Sequence, residues 1–353
     1  QITSADDALT KHLGKKDYTA AEVTAIKTED EALGKAVQIA TYMFGNGVDS
    51  LADAKKEIMD GLESINDRLN FNLNKSFKGR INGDNPDDMS TKFYGNGNVK
   101  PVKKSESHGT HVAGIIAAER NNGKGANGVA NNVKIMSVRT VPNGDEYDKD
   151  VALAIRYAVD NGAQVINGSF GKSFSPHSYW VRDAIAYASD KDVVFVHAAG
   201  NDSENVDIEL NFPDDNINGQ EISNTYIRVG ALEPKYGSGM VASFSNYGKV
   251  NVDVFAPGAK VYSTTPENEY DTKGGTSMAA PAVAGVAALI RSYYPKLTGA
   301  QVKQILMGSG LALKTKVIVG GDTNNVQPFA DIVKSGKIVN AYNALIMAAQ
   351  MSK

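Results

Sequence analysis

The sequence predicts a three-layer α/β/α fold with a mainly parallel sheet, preceded by a helical segment. From residue 108 onward, short continuous apolar segments alternate with amphipathic segments, which is typical of a parallel sheet covered by helices on both faces. Residues 17 to 70 carry apolar side chains at helical spacing instead. The chain has 353 residues, of which 42% are apolar, so it can bury a large core.

The N-terminal part is expected to contain two or three helices over residues 17 to 70, with a break at Asn46-Gly47. Residues 71 to 107 are rich in Asn, Asp, Gly and Lys, which predicts a long loop region. We therefore expect three parts: a helical segment over 1–75, a loop region over 76–107 and an α/β domain over 108–353.

In the α/β domain the apolar patterns predict four strands and two helices before the long apolar segment at residues 278 to 290. The predicted strands are 132–141, 163–171, 193–201 and 224–232, and the predicted helices are 150–162 and 178–192. Ligands of parallel sheets bind outside the carboxyl ends of the strands. The loops that follow these strands are therefore the places to look for chemistry.

The charge pattern argues against two classes of partner. The formal net charge is -3 and the pI is near 6.0, with Lys and Arg scattered along the chain, so we expect neither nucleic acid nor an anionic membrane surface as a partner. The apolar segment 278–290 is too short to cross a bilayer and contains Pro281 and Gly285. We interpret it as a buried helix and expect no transmembrane segment.

The chain contains no cysteine, which excludes disulfides, thiolate catalysis and cysteine-based zinc sites within it. Its first residues have neither the basic start nor the apolar stretch of a signal peptide. From this pattern either the protein is cytoplasmic or its targeting signal preceded Gln1.

Two histidines, His108 and His111, precede a run of small residues in SESHGTHVAGIIAA (105–118). A histidine at a helix N-terminus meets the positive end of the helix dipole, which keeps the ring neutral and suits a general base. A metal pair is a second interpretation, but Gly109 stands where the metalloprotease pattern has glutamate. Two packed core histidines are the third.

Two further motifs carry polar residues at the edges of buried segments. In GGTSMAAPAVAG (274–285), Ser277 lies at the start of the predicted buried helix, where backbone N–H groups lack partners and can meet a negative oxygen. In VVFVHAAGND (193–202), Asn201 follows a buried strand and a glycine. Taken singly, such residues are more often an N-cap serine and a turn asparagine.

Together, HGTHVAG (108–114), AAGN (198–201) and GTSMAAP (275–281) occur in an order that resembles the subtilisin-like serine proteases, the subtilases. The resemblance covers about residues 108 to 310. It includes four other segments: VINGSFG (165–171), ASFSNYG (242–248), VFAPGAKVYST (254–264) and SYYPKLTGAQVKQIL (292–306).

This resemblance implies a subtilisin-like fold and assigns roles to residues. Ser277 would be the nucleophile, His108 its general base and later acid, and Asn201 with the Ser277 N–H the oxyanion hole. His111 would then be structural. The residues that would line the substrate cleft are Ser169, Phe170 and Gly171 on one edge and Ala198, Ala199 and Gly200 on the facing wall.

The family has a third motif, a strand ending in Asp, then Ser or Thr, then Gly, whose aspartate orients the histidine. Residues 1 to 107 contain no such motif. The nearest imitation, YMFGNGVDS (42–50), has Gly45 at the position of the acid, and the aspartates of 84–88 follow no strand.

Two explanations remain open. In the first, the chain is the later part of a processed, longer subtilase, and an upstream fragment of the same precursor supplies the first strand with its aspartate. In the second, it is a pseudoprotease that binds peptides in the same cleft without cleaving them. We favour the first because the other motifs are intact and a sheet without a central strand would expose an edge. The expected function is a serine endopeptidase acting on polypeptides through a seryl acyl-enzyme.

The resemblance also bears on cofactors and location. No cofactor is expected for catalysis, but subtilases often bind structural calcium. The Asp and Asn clusters NGDNPDD (82–88) and NDSENVDIE (201–209) could supply its oxygen ligands, or could be solvated turns. The resemblance implies a protein secreted or held in the cell envelope. A metal hydrolase built on His108 and His111 is the least favoured function.

Overall fold

The computed structural model describes the chain except for residues 46, 47, 49, 78–81, 104, 131 and 142–145. The described residues before residue 78 form one compact unit, and those from Asn82 onward form a second. The loop region over 82–107 therefore belongs to the second unit. Its described residues contain neither helix nor strand, as the turn-rich composition predicts.

The first unit is helical. Its helices are α1 (Ile2–Leu13), α2 (Ala20–Thr24), α3 (Glu31–Gly45) and α4 (Leu51–Asp67), and α4 continues into a π-helical turn. Three of these lie in the predicted helical region, while α1 precedes it. Leu9, Val23 and Leu51 are fully buried in a common core. Thr19 caps α2, because its hydroxyl accepts the Glu22 N–H at 3.3 Å and Glu22 accepts the Thr19 N–H at 2.9 Å.

The second unit carries helices and strands in alternation. Its helices are α5 (His108–Ala117), α6 (Asp148–Asp160), α7 (Ser178–Asp190), α8 (Thr276–Tyr293), α9 (Gly299–Ser309) and α10 (Ala341–Met351). Its first strands are β1 (Val165–Gly168), β2 (Val194–Ala198), β3 (Asn216–Ile217), β4 (Gln220–Glu221), β5 (Tyr226–Leu232) and β6 (Val254–Pro257). The later strands are β7 (Val261–Thr265), β8 (Glu269–Lys273), β9 (Leu311–Ala312), β10 (Lys316–Val319), β11 (Asp322–Pro328) and β12 (Lys337–Ile338).

The central sheet has six strands in the order β1-β2-β5-β6-β12-β9. All neighbouring pairs are parallel except β12 with β9. The register places Val165 opposite Val194 and Phe195 opposite Tyr226. The mainly parallel sheet predicted from the apolar segments is therefore confirmed.

Helices cover both faces of this sheet. Along β2, Val194 and Val196 point to one face, where they pack in a cluster with residues of α8, α9 and α10. Phe195 points to the other face and packs with residues of α6 and α7. This alternation along a single strand produces the three-layer α/β/α architecture.

Helix α8 is the buried helix predicted from the apolar segment at 278–290. It packs against β1, β2, β5 and β6, and Met278, Ala284 and Ile290 are buried. Pro281 lies in its second turn and gives no N–H to the Ser277 carbonyl oxygen, which accepts the Ser169 hydroxyl at 2.8 Å instead. In the ranges that the structure describes, no helix combines the length and the apolar content needed to cross a bilayer.

The strand predicted over 132–141 is wrong. The described residues of this segment are in neither helix nor strand, and Ile135 and Met136 are 48% and 41% exposed. On one side β1 is the edge of the sheet, without a paired strand among the described residues. An apolar segment becomes a strand only when a neighbour accepts its backbone hydrogen bonds, and 132–141 has none in the described part of this chain.

Candidate active site

Helix α5 begins at His108, so this ring stands in the first helical turn. The side chain reaches the surface and makes no hydrogen bond within the described part of the chain. Desolvation by the surrounding protein lowers the pKa of His108 to about 4. The neighbouring charges at His111 and Lys273 act in the same direction. The ring is therefore neutral at pH 7 and able to accept a proton.

His111 holds α5 to the following hairpin. It is fully buried, and its Nε2 donates to the carbonyl oxygen of Asp271 at 3.0 Å. Its own carbonyl oxygen accepts the Ser263 hydroxyl at 2.8 Å. No group of three or more His, Asp or Glu side chains converges in the described ranges to hold a metal ion. These contacts support the structural role expected for His111.

Ser277 stands in the first turn of α8, which begins at Thr276. Its hydroxyl lies 3.4 Å from the Ser169 carbonyl oxygen and donates to it, so it is not hydrogen-bonded to His108. The starts of α5 and α8 lie close together, because Val112 and Met278 share one buried cluster. The fold thus brings the predicted nucleophile and the predicted base to two adjacent helix N-termini.

Asn201 is tied to the turn that precedes Ser277. Its Oδ1 accepts the Thr276 N–H at 2.8 Å and the Thr276 hydroxyl at 3.0 Å. The Thr276 Oγ1 in turn accepts the Gly200 N–H at 3.1 Å. Since both bonds engage Oδ1, the amide orientation follows from the network, and Nδ2 remains as the available donor. Sequence reasoning assigned no role to Thr276, which is fully buried.

One predicted edge of the cleft is hydrogen-bonded to Ser277, the predicted nucleophile. The Ser169 hydroxyl donates to the Ser277 carbonyl oxygen at 2.8 Å and accepts the Asn167 amide at 2.9 Å. The Phe170 carbonyl oxygen accepts His197 Nε2 at 2.7 Å. Ser169 therefore lies beside Ser277, as the resemblance implied.

Gly171 follows in the same extended segment. Lys172 pairs with Phe212, accepting its N–H at 2.8 Å and donating to its carbonyl oxygen at 2.9 Å. The backbone groups of Phe170 and Lys172 bind protein, and a backbone group of Gly171 bonds to the Glu146 carboxylate.

The facing wall differs from the prediction in one respect. The methyl groups of Ala198 and Ala199 are 4% and 0% exposed and pack in the core. Gly200 has φ 103°, and a Cβ there would lie 2.3 Å from Asn246 Nδ2, so only glycine fits. Contact between this wall and a substrate would therefore be made by backbone atoms, without the alanine side chains.

A buried polar chain behind Phe170 was missed at the sequence level. His197 is fully buried, and this burial lowers its pKa to about 3, so the ring is neutral. Its Nε2–H goes to the Phe170 carbonyl, so Nδ1 is the acceptor that faces the Tyr226 hydroxyl at 2.8 Å, and this hydroxyl also lies 2.8 Å from the Pro213 carbonyl oxygen. Arg228 donates to the Tyr226 oxygen at 3.4 Å. The sequence does contain one signal for this chain of polar groups: His197 interrupts the otherwise apolar strand VVFVHAA. A buried histidine needs hydrogen-bond partners.

No described carboxylate orients His108. Asp84 pairs with Lys149 at 2.6 Å, and Asp87 contacts His177 at 2.9 Å. Asp88 accepts the N–H and the hydroxyl of Ser90 at 2.8 Å. The acids of the loop before the histidine motif are thus engaged elsewhere, in agreement with the missing aspartate motif.

These same contacts bear on the calcium prediction. The carboxylates of 84–88 have the separate partners just described and do not converge. In the second cluster, Asp207 accepts the N–H groups of Val250 and Asn251 at 3.0 and 2.8 Å. Calcium binding at either cluster stays a prediction.

Comparisons with known proteins agree with this geometry. The model of the subtilase family matches residues 25–328. A thermophilic serine proteinase of Bacillus sp. (strain AK1) is 46% identical over 187 residues, covering 53% of this chain and 43% of that protein. The cell wall-associated protease of Bacillus subtilis (strain 168) is 32% identical over 286 residues, covering 80% and 29%.

A solved structure of proteases from Pseudoalteromonas arctica PAMC 21717 superposes with a TM-score of 0.55 and 35% identity. The superposition covers 68% of this chain and 70% of that one. The chain thus spans less than half the length of the two Bacillus proteins, at 43% and 29%.

Proposed function

Since the chain belongs to the subtilase family, the subtilisin-like serine proteases, we propose that it hydrolyses peptide bonds as a serine endopeptidase. The observation that carries the proposal is the pair of Thr276 bonds to Asn201 Oδ1, at 2.8 and 3.0 Å. They orient the Asn201 amide so that its Nδ2 and the Ser277 N–H can both donate to one oxygen. Two fixed donors beside a hydroxyl are what a tetrahedral oxyanion requires.

The chemistry runs through a seryl acyl-enzyme. His108 takes the proton of the Ser277 hydroxyl as its oxygen attacks the carbonyl carbon of the peptide bond, and the carbonyl oxygen becomes an oxyanion. When the C–N bond breaks, His108 gives that proton to the leaving amine. A water then attacks the ester, again losing its proton to His108, and releases the second product with the free Ser277 hydroxyl.

The orienting acid comes from another polypeptide, which we propose is an upstream fragment of the same precursor. Three findings support this: His108 has no carboxylate partner among the described residues, β1 has an unpaired edge within them, and the segment 132–141 forms no strand. A strand ending in aspartate would give β1 a neighbour and His108 a partner. Its negative charge would also raise the pKa of His108 from about 4.

The substrates are polypeptides, and the cleft edge at Ser169–Gly171 would pair with their backbone. We propose that the protein is exported and processed, since a relative that covers much of this chain is a cell wall-associated protease. Calcium at 82–88 or 201–209 would be structural, and no cofactor takes part in the proposed reaction.

Labelling with a serine-directed fluorophosphonate tests the catalytic role. We expect one labelled residue, Ser277, with labelling abolished in Ser277→Ala. Ser292→Ala is the matched control, because Ser292 is an exposed serine of the same helix. Labelling that survives Ser277→Ala would remove Ser277 from its role, and no labelling with the upstream fragment present would favour the peptide-binding pseudoprotease.

A further inference from the structure

Glu146 lies against the predicted edge of the substrate cleft. Its carboxylate accepts a hydrogen bond from the backbone of Gly171, and its carbonyl oxygen accepts the Lys172 ammonium group. At the other end of the edge, the Ser169 carbonyl oxygen accepts the Ser277 hydroxyl at 3.4 Å. The edge is therefore in contact with Ser277 at its first residue and with the Glu146 carboxylate at its last.

The two contacts lie on one side of this edge. The segment is extended between β1 and the isolated β-bridge that follows it, and in an extended chain the backbone groups of residues two apart point the same way. The intervening residue points into the protein, where the Phe170 carbonyl oxygen accepts His197 Nε2 at 2.7 Å. The Glu146 carboxylate therefore lies on the side of the edge that faces the Ser277 hydroxyl.

The surroundings of this carboxylate suit a neutral carboxyl group. Its Oε1 is buried and has no hydrogen-bond partner among the described residues. Burial raises the pKa of Glu146 to about 7; the Lys172 charge opposes this shift and the Asp148 charge adds to it. Lys172 and Asp148 also pair with each other at 2.8 Å, so the lysine charge is shared.

The other elements packed around Glu146 bring no further titratable group. It lines a cavity together with residues of α6, α7 and the loops after β1 and β2, in which the other charged groups are Asp148 and Lys172. The remaining lining residues are Val151, Ser175, Val181, Phe212 and Pro213. The ionisation of Glu146 in this position is thus governed by burial and by these two charges.

The raised pKa couples the position of Glu146 to pH. If the side chain leaves the edge and enters water, its pKa returns to about 4.5. A conformation in which a group binds its proton more tightly is stabilised as the pH falls. The contact with Gly171 is therefore most favoured below about pH 4.5. It loses this advantage as the pH rises to about 7, by at most about tenfold per pH unit.

We propose that Glu146 is an autoinhibitory gate that closes the cleft edge at acid pH and opens it at alkaline pH. This inference rests on the proposed endopeptidase function, because it regulates the same cleft. In the closed position the protonated carboxyl group holds the Gly171 N–H, and an extended peptide has to displace it. In the open position the carboxylate is in water, and the Gly171 backbone pairs with the peptide.

Peptide binding by Ser277→Ala, which cannot cleave, tests the gate without chemistry. Fluorescence anisotropy with an extended labelled peptide should give a dissociation constant about fivefold higher at pH 6 than at pH 8. Adding Glu146→Ala should make binding tight at both pH values, because no side chain then covers the edge. Adding Glu146→Gln, which is neutral at every pH, should make it weak at both. Glu119→Gln, a change of an exposed glutamate beyond the end of α5, should keep the pH dependence of Ser277→Ala.

The same pH dependence with and without Glu146→Ala overturns the inference, and so does tight binding by the Glu146→Gln variant at pH 6. Absence of binding in every variant also overturns it, since Glu146→Ala would then open no edge for a peptide. If the peptide binds as expected while the unaltered protein cleaves nothing, the proposed hydrolysis fails and the gate stands.

Labelling of Ser277 by a small fluorophosphonate separates a gate from a general disturbance of the site. The reagent reacts at Ser277 and does not extend to Gly171, so its labelling rate at a given pH should be equal in Glu146→Ala and in the unaltered protein. A labelling rate that changes as much as peptide binding does would mean that Glu146 supports Ser277 itself, and would contradict the gate.

Discussion

Thr276 and Asn201 are joined by two hydrogen bonds to one atom: the Thr276 N–H and hydroxyl lie 2.8 and 3.0 Å from Asn201 Oδ1. Because the same hydroxyl accepts the Gly200 N–H at 3.1 Å, this buried threonine joins the end of β2 to the turn that contains Ser277. The orientation of the proposed oxyanion donor thus depends on a residue next to the serine.

Replacing Thr276 with valine keeps the shape and the N–H but removes the hydroxyl. We expect kcat to fall about fivefold with little change in KM, because one net hydrogen bond contributes about 1 kcal/mol and Asn201 becomes less well oriented. Thr276→Ser, which keeps the hydroxyl, should retain most of the activity. If valine and serine variants turn over peptides equally fast, the hydroxyl does not orient Asn201.

Asn201→Leu removes the donor itself at nearly constant volume. The expected loss is roughly 10² to 10³ in kcat, the magnitude known for the corresponding asparagine of subtilisin, a member of the same family. KM should change little, since the donor acts on the oxyanion and hardly on the ground-state carbonyl. A loss confined to KM would place Asn201 in substrate binding instead.

His197→Gln tests the chain of polar groups behind Phe170. The glutamine amide can still donate to the Phe170 carbonyl but cannot accept from Tyr226 in the same way. We expect KM for extended peptides to rise severalfold, while the rate of Ser277 labelling by a small reagent changes less. A variant in which KM and the labelling rate are both unchanged would show that His197 does not position this edge.

The same substitution should alter the pH dependence of stability. Burial lowers the pKa of His197 to about 3 in the folded protein. Below about pH 6.5, His197 therefore binds a proton in the unfolded chain but not in the folded protein. Folding stability therefore falls as the pH drops from 6.5 toward 3, by up to about 1.4 kcal/mol per pH unit from this group. Denaturant unfolding at pH 7 and pH 5 should show a smaller loss in His197→Gln than in the unaltered protein, and an equal loss would contradict the assignment.

Lys273→Gln should shift the acid limb of kcat/KM. The Lys273 charge disfavours the imidazolium of His108 and so lowers its pKa. Without that charge the pKa of His108 rises, the base stays protonated to a higher pH, and the acid limb moves upward by a few tenths of a pH unit, as expected for a partly screened charge. The pH profile of peptide hydrolysis measures this; a downward shift would mean that Lys273 acts on His108 in another way.

Residue patterns predicted much of this fold, and the wrong or missing predictions have local causes. The apolar segments at β1, β2 and β5 predicted the parallel sheet correctly because they pair with one another within the chain. The segment at 132–141 has a strand-like pattern, yet pattern alone does not show whether a neighbouring strand is present. Local motifs predicted the roles of His108, Asn201 and Ser277, whereas Thr276 and His197 make contacts between distant segments that no local spacing reveals.

The origin of the acid that orients His108 decides whether this chain is a protease by itself. The direct measurement is the peptide hydrolysis rate of this chain alone and after reconstitution with a polypeptide bearing the Asp-Ser/Thr-Gly strand. We expect reconstitution to raise kcat by roughly 10⁴, the scale known for the aspartate of subtilisin, and an Asp→Asn change in the added polypeptide to remove most of that gain. If the purified chain alone already cleaves peptides at the reconstituted rate, the acid lies within this chain and the proposed role of a second polypeptide is wrong.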